Sequence, residues 1–216
     1  MRKVLESAET ALGNKIELIG NNQKDCPLII GVFHGDEPQG KYLIDKYLDE
    51  AGDFNNLLFI PCLNPDGMKS NTRCNSNNVD LNRNFPTENW GRNEGENATC
   101  DDETTAYYGG KSPASEIETQ FVINIIKKYA PSIIITLHAP YKVVNYDGPA
   151  ENIAEQIAEI INYPAEGSIG YPTPGSFGTY CGVERNIPTI TLELDEEIPV
   201  SDLYPPIKKI FTLLNN

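Results

Sequence analysis

Short aliphatic runs alternate with stretches of helical periodicity along this chain, and few folds satisfy that order. Leu28-Ile29-Ile30-Gly31-Val32-Phe33, Leu57 to Pro61, Ile133 to Leu137 and Thr189 to Leu194 are short and apolar, as strands buried on both faces are. Between the first two, Pro38 suits a first helical turn, and residues 38–49 place Leu43 and Tyr47 one turn apart. Ser115-Glu116-Ile117-Glu118 has the pattern of a capping box, and Ile117, Phe121 and Ile125 then recur every four residues beside Val122 and Ile126. Ala150 to Ile161, with Ile153, Ile157 and Ile160 on one stripe, predicts another amphipathic helix, and Pro205 to Leu214 a closing one. The alternation predicts a layered α/β fold. With no repeat and no linker in 216 residues, the expectation is a single domain over 1–216.

Charge excludes some partners. The formal net charge is -14, and no Lys/Arg-rich run offsets it, so phosphate backbones and anionic lipid are repelled and neither nucleic acid nor a membrane is expected as a partner. No stretch approaches the roughly 20 apolar residues of a membrane span, and Met1 to Thr10 lacks an apolar signal core, so the expected location is cytoplasmic. The five cysteines are odd in number and show no CxxC spacing. Free thiols are expected, with a bridge between Cys74 and Cys100 left open. The Asn97-Ala98-Thr99 sequon reads as chance.

From Asn64 to Gly110 the chain is rich in Asn, Asp and Gly and poor in apolar residues. Loops of that length in compact folds are commonly functional, so the segment is expected to frame a site. Its second half, Thr87 to Gly110 with Trp90 and Arg92, has two readings, a rim or lid over the site and a solvated insertion, of which the second is preferred.

The chain has only two histidines, His34 and His138, and each directly follows an apolar run. In open α/β sheets the carboxyl ends of the strands meet at a crevice, so residues distant in sequence converge there. His34-Gly35-Asp36-Glu37 sets an imidazole and a carboxylate three residues apart across a strand-to-helix corner. With His138 they make a His2Glu set, the catalytic zinc pattern of three protein ligands and an open position for water. One Zn2+ per chain is therefore expected. Zinc makes a nucleophile of water at neutral pH, but a base must still move the proton. Glu193, a charge inside the apolar run Ile190-Thr191-Leu192-Glu193-Leu194, is the candidate.

The loop adds Asn64-Pro65-Asp66-Gly67, Arg73 and Val79-Asp80-Leu81-Asn82-Arg83-Asn84-Phe85-Pro86. Together with His34-x-x-Glu37 this resembles the zinc carboxypeptidase family, from about His34 to Glu193. The resemblance implies a three-layer α/β/α sandwich on a mixed, mostly parallel sheet. It also implies zinc on His34, Glu37 and His138, Glu193 as general base, Arg73 on the oxyanion, and Asn82 and Arg83 on the substrate's terminal carboxylate. Within the family, Asn145-Tyr146-Asp147-Gly148-Pro149-Ala150, Gly170-Tyr171-Pro172-Thr173-Pro174-Gly175-Ser176 and Ile187 to Leu194 look most like the small bacterial murein peptide amidases. That likeness implies cleavage between γ-D-glutamate and meso-diaminopimelate, with a small murein peptide as the partner and peptidoglycan recycling as the setting. Asp147 is assigned to the distal ammonium of such a substrate. The digestive carboxypeptidases carry a mobile tyrosine over the substrate; Tyr171, Phe177 and Tyr180 all lie where its counterpart is sought, and Tyr180 is assigned to substrate binding.

Two other readings compete. One is an N-acyl amino acid deacylase of the aspartoacylase and succinylglutamate desuccinylase type, which shares the metal set and an Asp-Leu-Asn-Arg run. Asn64-Pro65-Asp66-Gly67 and the compact length argue against it. The other is a catalytically inactive module that grips carboxyl-terminal peptides, against which Glu193 and Arg73 both speak.

Overall fold

The computed structural model describes residues 3–21, 23–50, 56–91, 107–167 and 173–215. In chain order its elements are β1 (Val4–Glu9), β2 (Lys15–Gly20), β3 (Leu28–Gly31), α1 (Gln39–Glu50), β4 (Leu58–Ile60), α2 (Pro65–Ser70), α3 (Ile117–Tyr129), β5 (Ile134–His138), β6 (Val143–Asp147), α4 (Glu151–Ile161), β7 (Ala165–Glu166), β8 (Thr189–Glu193) and α5 (Val200–Asn215). The strands form one sheet in the order β1-β2-β4-β3-β5-β8-β6-β7. Its centre, β4-β3-β5-β8, is parallel, and antiparallel pairings flank it through β2 and β6. Parallel central strands have both faces covered, so their residues are apolar on both sides.

The two faces feed two cores. Ile29, Phe59, Ile135 and Ile190 point to one, which α1, α4 and α5 cover with Leu43, Ile44, Ala154, Ile157, Ile207 and Phe211. Leu28, Ile30, Leu58, Ile60 and Ile134 point to the other, closed by Phe121, Val122 and Ile125 of α3 and by Phe85 and Phe177 from the long connections. Adjacent residues of one strand thus serve opposite cores, as the pleat requires. The sandwich is three-layered, as the resemblance implies.

Several local expectations are corrected. The strand expected over Leu28 to Phe33, which is β3, stops at Gly31, because Val32 turns into the left-handed region with φ of 56°. A β-branched residue there is strained, and such strain persists where the surroundings over-determine it. The 64–110 stretch is not featureless: Asn64 Oδ1 accepts from Gly67 N at 2.9 Å and caps α2, with Pro65 in its first turn. A single 3₁₀ turn follows at Leu81–Arg83. The capping box does not form, because Glu116 makes no side-chain cap on α3 and bonds elsewhere. The last helix starts at Val200, ahead of Pro205, since Leu203 and Tyr204 are already buried against the core. Cys26, Cys62 and Cys181 are free thiols as expected, whereas Cys74 is disulfide-bonded. Arg92, Asn97, Cys100 and Tyr171 lie outside the described residues.

Candidate active site

The corner after β3 carries the first two polar groups of interest. Leu63 N and Asn64 N donate to the carbonyls of Gly31 and Val32 at 3.0 and 2.9 Å, which ties this corner to the segment after β4. The chain then passes so close to α2 that a Cβ on Gly35 would run into the backbone of Gly67 and Met68. This fixes His34 and brings Glu37 back beside it, with Nδ1 to Oε1 at 2.7 Å. His138 comes from the end of β5, the parallel neighbour of β3, and stacks on Phe33 with ring centroids 5.4 Å apart. Its Nδ1 lies 3.3 Å from Nδ1 of His34 and 3.0 Å from Oε2 of Glu37. One ligand atom from each of His34, Glu37 and His138 falls within 4.8 Å of the others.

This set fits zinc. Two imidazole nitrogens and a carboxylate oxygen are the donors that borderline-soft ion takes, and both rings offer the same nitrogen to the common point. The other nitrogen of His34, Nε2, lies 3.3 Å from Oδ1 of fully buried Asp80, at ion-pair distance though without hydrogen-bond alignment. A carboxylate behind a ligating imidazole fixes its tautomer and raises its basicity. Burial disfavours a charge on His34, yet Glu37 and Asp80 outweigh it and raise the imidazole to about 9. Burial likewise opposes the charges of Glu37 and Asp80, but their cationic neighbours hold both well below the usual carboxylate range.

Glu193 closes β8 directly opposite His138 in the parallel register between β5 and β8. Paired residues in such a ladder project to the same side, so the carboxylate faces the metal set. Burial pushes its pKa up, and its Oε2 is buried with no hydrogen-bond partner among the described residues. Arg73 reaches in from the connection after α2, its Nε donating to Asp80 Oδ2 at 3.1 Å and its Nη1 lying 3.7 Å from Glu37 Oε1. Asn82 and Arg83 sit on the 3₁₀ turn, which Asp80 caps by accepting from Asn82 N at 2.8 Å. Asn82 Oδ1 accepts from Phe177 N at 2.9 Å, which holds the side chain at the cleft wall. Arg83 Nη1 donates to its neighbour's carbonyl at 2.7 Å, and its guanidinium lies 4.9 Å from the Tyr107 ring centroid.

His34, Glu37, His138, Glu193, Arg73, Asn82 and Arg83 line a single cleft of about 680 Å³, together with Asp147 at the end of β6. Asp147 packs on Gly178 and Gly182, where any Cβ would collide with it, and burial raises its pKa. No cation pairs with Asp147 among the described residues. Tyr180 is the exception among the expected site residues. It is 4% exposed, packs on Phe85 with centroids 5.4 Å apart, carries the Arg185 guanidinium on its outer face and does not line the cleft. Phe177 is also core, packed between Phe33 and Phe85. The aromatic rings that do line the cleft, Tyr107 and Tyr141, were not singled out by sequence.

Residues 20–152 match the profile of the zinc carboxypeptidase family. The chain belongs to the zinc carboxypeptidase family. As a zinc carboxypeptidase it is a hydrolase, and its family metal agrees with the His34, Glu37, His138 set. Murein peptide amidase A of Escherichia coli K12 is 32% identical over 198 residues, covering 89% of this chain and 79% of that protein. The crystal structure of murein-tripeptide amidase MpaA from Escherichia coli O157 superposes with a TM-score of 0.83 at 28% identity, covering 96% of this chain and 90% of the other. Carboxypeptidase A from Helicoverpa armigera shares the fold, with a TM-score of 0.75 at 16% identity over 99% of this chain and 68% of its own. Glu193 lies beyond the matched residues 20–152, so its assignment rests on the strand register that sets it beside His138.

Proposed function

We propose that the protein hydrolyses a peptide or amide bond next to a residue with a free α-carboxylate, with the γ-D-glutamyl–meso-diaminopimelate bond of a murein peptide as substrate. The observation that carries this reading is the convergence of His34, Glu37, His138, Glu193, Arg73, Asn82, Arg83 and Asp147 on one cleft. Zinc, when bound by His34, Glu37 and His138, supplies the Lewis acid that polarises the scissile carbonyl and makes water nucleophilic at neutral pH. Glu193 takes the proton of the attacking water at Oε2 and passes it to the leaving amine. Its elevated pKa suits both halves of that transfer. Arg73 donates to the oxygen that becomes negative as the carbonyl is attacked, an interaction worth roughly 3–4 kcal/mol where donors are fixed beforehand. Arg83 and Asn82 grip the terminal carboxylate, and that grip decides which bond is presented. Asp147, half-buried and without a cation partner among the described residues, takes the distal ammonium of diaminopimelate.

The test is metal analysis together with turnover of L-Ala-γ-D-Glu-meso-diaminopimelate beside N-acetyl-aspartate and N-succinyl-glutamate. The expected result is about one zinc per chain, cleavage of the murein peptide alone, loss of activity with a chelator and recovery with zinc. Glu193→Gln should abolish turnover, and Asp147→Ala should erase the preference for diaminopimelate over an uncharged residue. Cleavage of the N-acyl amino acids instead, or undiminished activity in Glu193→Gln, would end the proposal. The setting proposed is peptidoglycan recycling, for which the sequence alone led to an expectation of the cytoplasm. No helix among the described residues is long and apolar enough to cross a membrane. The disulfide at Cys74 speaks for an oxidising compartment instead, and cell fractionation decides between the two.

A further inference from the structure

The two arginines of the cleft come from one connection, and its two ends are tied to the same residue. At the Arg73 end, Asn75 folds a tight turn by accepting from Asn77 N and Val79 N at 3.0 and 3.1 Å through its Oδ1. Its Nδ2 donates to Glu116 Oε2 at 2.7 Å, and Asn77 Nδ2 donates to the same oxygen at 2.8 Å. At the Arg83 end, Asn84 Oδ1 accepts from the backbone N of Glu116 at 3.2 Å. Asn84 Nδ2 donates to Ser115 Oγ at 3.0 Å, and that hydroxyl donates to Glu116 Oε1 at 2.6 Å. Glu116 is 5% exposed, Asn75 3% and Asn84 0%, so the bonds from Asn75 Nδ2 to Glu116 and from Glu116 N to Asn84 are made away from water. Buried donors and acceptors left unpaired are costly, and the cost falls on whichever conformation breaks the ties.

We propose that Glu116 is a positioning residue for the proposed reaction: its carboxylate sets the Asn75–Val79 turn and through it Arg73, while its backbone N–H anchors Asn84 and the neighbouring Asn82 and Arg83. The assignment rests on the role given above to Arg73 in binding the developing oxyanion. The division between side chain and backbone matters. Altering the side chain removes the direct hold on the Arg73 end, while at the Arg83 end the N–H that anchors Asn84 remains and only the Ser115 hydroxyl loses its acceptor. Arg73 acts on the transition state and Arg83 on the ground-state carboxylate, so the defect appears in kcat and not in KM.

Glu116→Gln keeps the volume of the side chain but offers one acceptor oxygen where three donors converge. Asn77→Ala removes one of those donors at an exposed position that leaves the core intact. The expected result for Glu116→Gln is kcat lowered roughly ten-fold with KM within about two-fold, and for Asn77→Ala a smaller fall in the same direction. In hydrogen exchange on the same proteins, the amides of Asn77 and Val79 should exchange faster, while those of Asn84 and Phe85 keep their protection. Unchanged exchange at Asn77 and Val79 would overturn the proposal, and so would KM rising in step with a fall in kcat. A wild-type protein that cleaves no carboxylate-ended peptide would sink the hydrolase reading, and the exchange pattern would still decide whether Glu116 holds the turn.

Discussion

Asp80 serves two working groups at once, with one oxygen on Arg73 Nε and the other near His34 Nε2. A neutral amide in its place neither balances the guanidinium nor steers the imidazole. Asp80→Asn should therefore weaken zinc binding roughly 10- to 100-fold, measured by competition with a chelator of known affinity, and lower kcat as well. Unchanged affinity would show that Asp80 only caps the 3₁₀ turn. That second duty is also why the sequence hid it: an Asp before Leu-Asn-Arg reads as turn chemistry, and nothing local announces a histidine 46 positions earlier. His34, His138 and Glu193 were legible because a charge or imidazole at the end of an apolar run is rare without a purpose, and Glu37 by its spacing from His34. Tyr180 was misread because aromatics in a Gly-rich segment carry no mark of which way they face.

At the scale of elements, the metal corner depends on how tightly β3 and α2 pack around Gly35. A methyl group there would collide with the backbone of Gly67 and Met68, and backbone cannot swing away as a side chain can. Gly35→Ala should cost at least about 2 kcal/mol by denaturant unfolding and also lower zinc occupancy, since α2 must retreat or His34 must move. A variant as stable as the parent and fully loaded would mean that the corner relaxes freely. The central strands were legible because burial on both faces leaves a continuous aliphatic run. β1 and β2 at one edge and β6 and β7 at the other escaped notice, because their short sequences mix polar and apolar residues and resemble loops. α2 escaped as well, being six residues of Pro, Asp, Gly, Met, Lys and Ser held by its Asn64 cap.

For the molecule as a whole, one buried acid outside the reaction makes stability depend on pH. Glu118 is 1% exposed, and burial, aided by Glu116 and Asp66, raises its carboxyl from an ordinary 4.5 to about 7. The folded state thus binds a proton that the unfolded chain releases. Stability from this group is full below pH 4.5, declines as pH rises, and is lost above about 7, a change of roughly 3 kcal/mol. Glu118→Gln should flatten that slope, so that denaturant unfolding at pH 5 and pH 8 differs less in the variant than in the parent. An equal slope in both would place the titrating group elsewhere. The layered architecture, by contrast, was legible from alternation alone, because two cores on opposite faces of one sheet leave their signature in every central strand. The chain's entire complement of histidine is committed to one centre, with no third ring on the surface. Any signal specific to that residue type, such as the nitrogen resonances of an isotope-labelled sample, is therefore a spectator-free gauge of metal loading. The same scarcity leaves stray ions no competing imidazole to settle on.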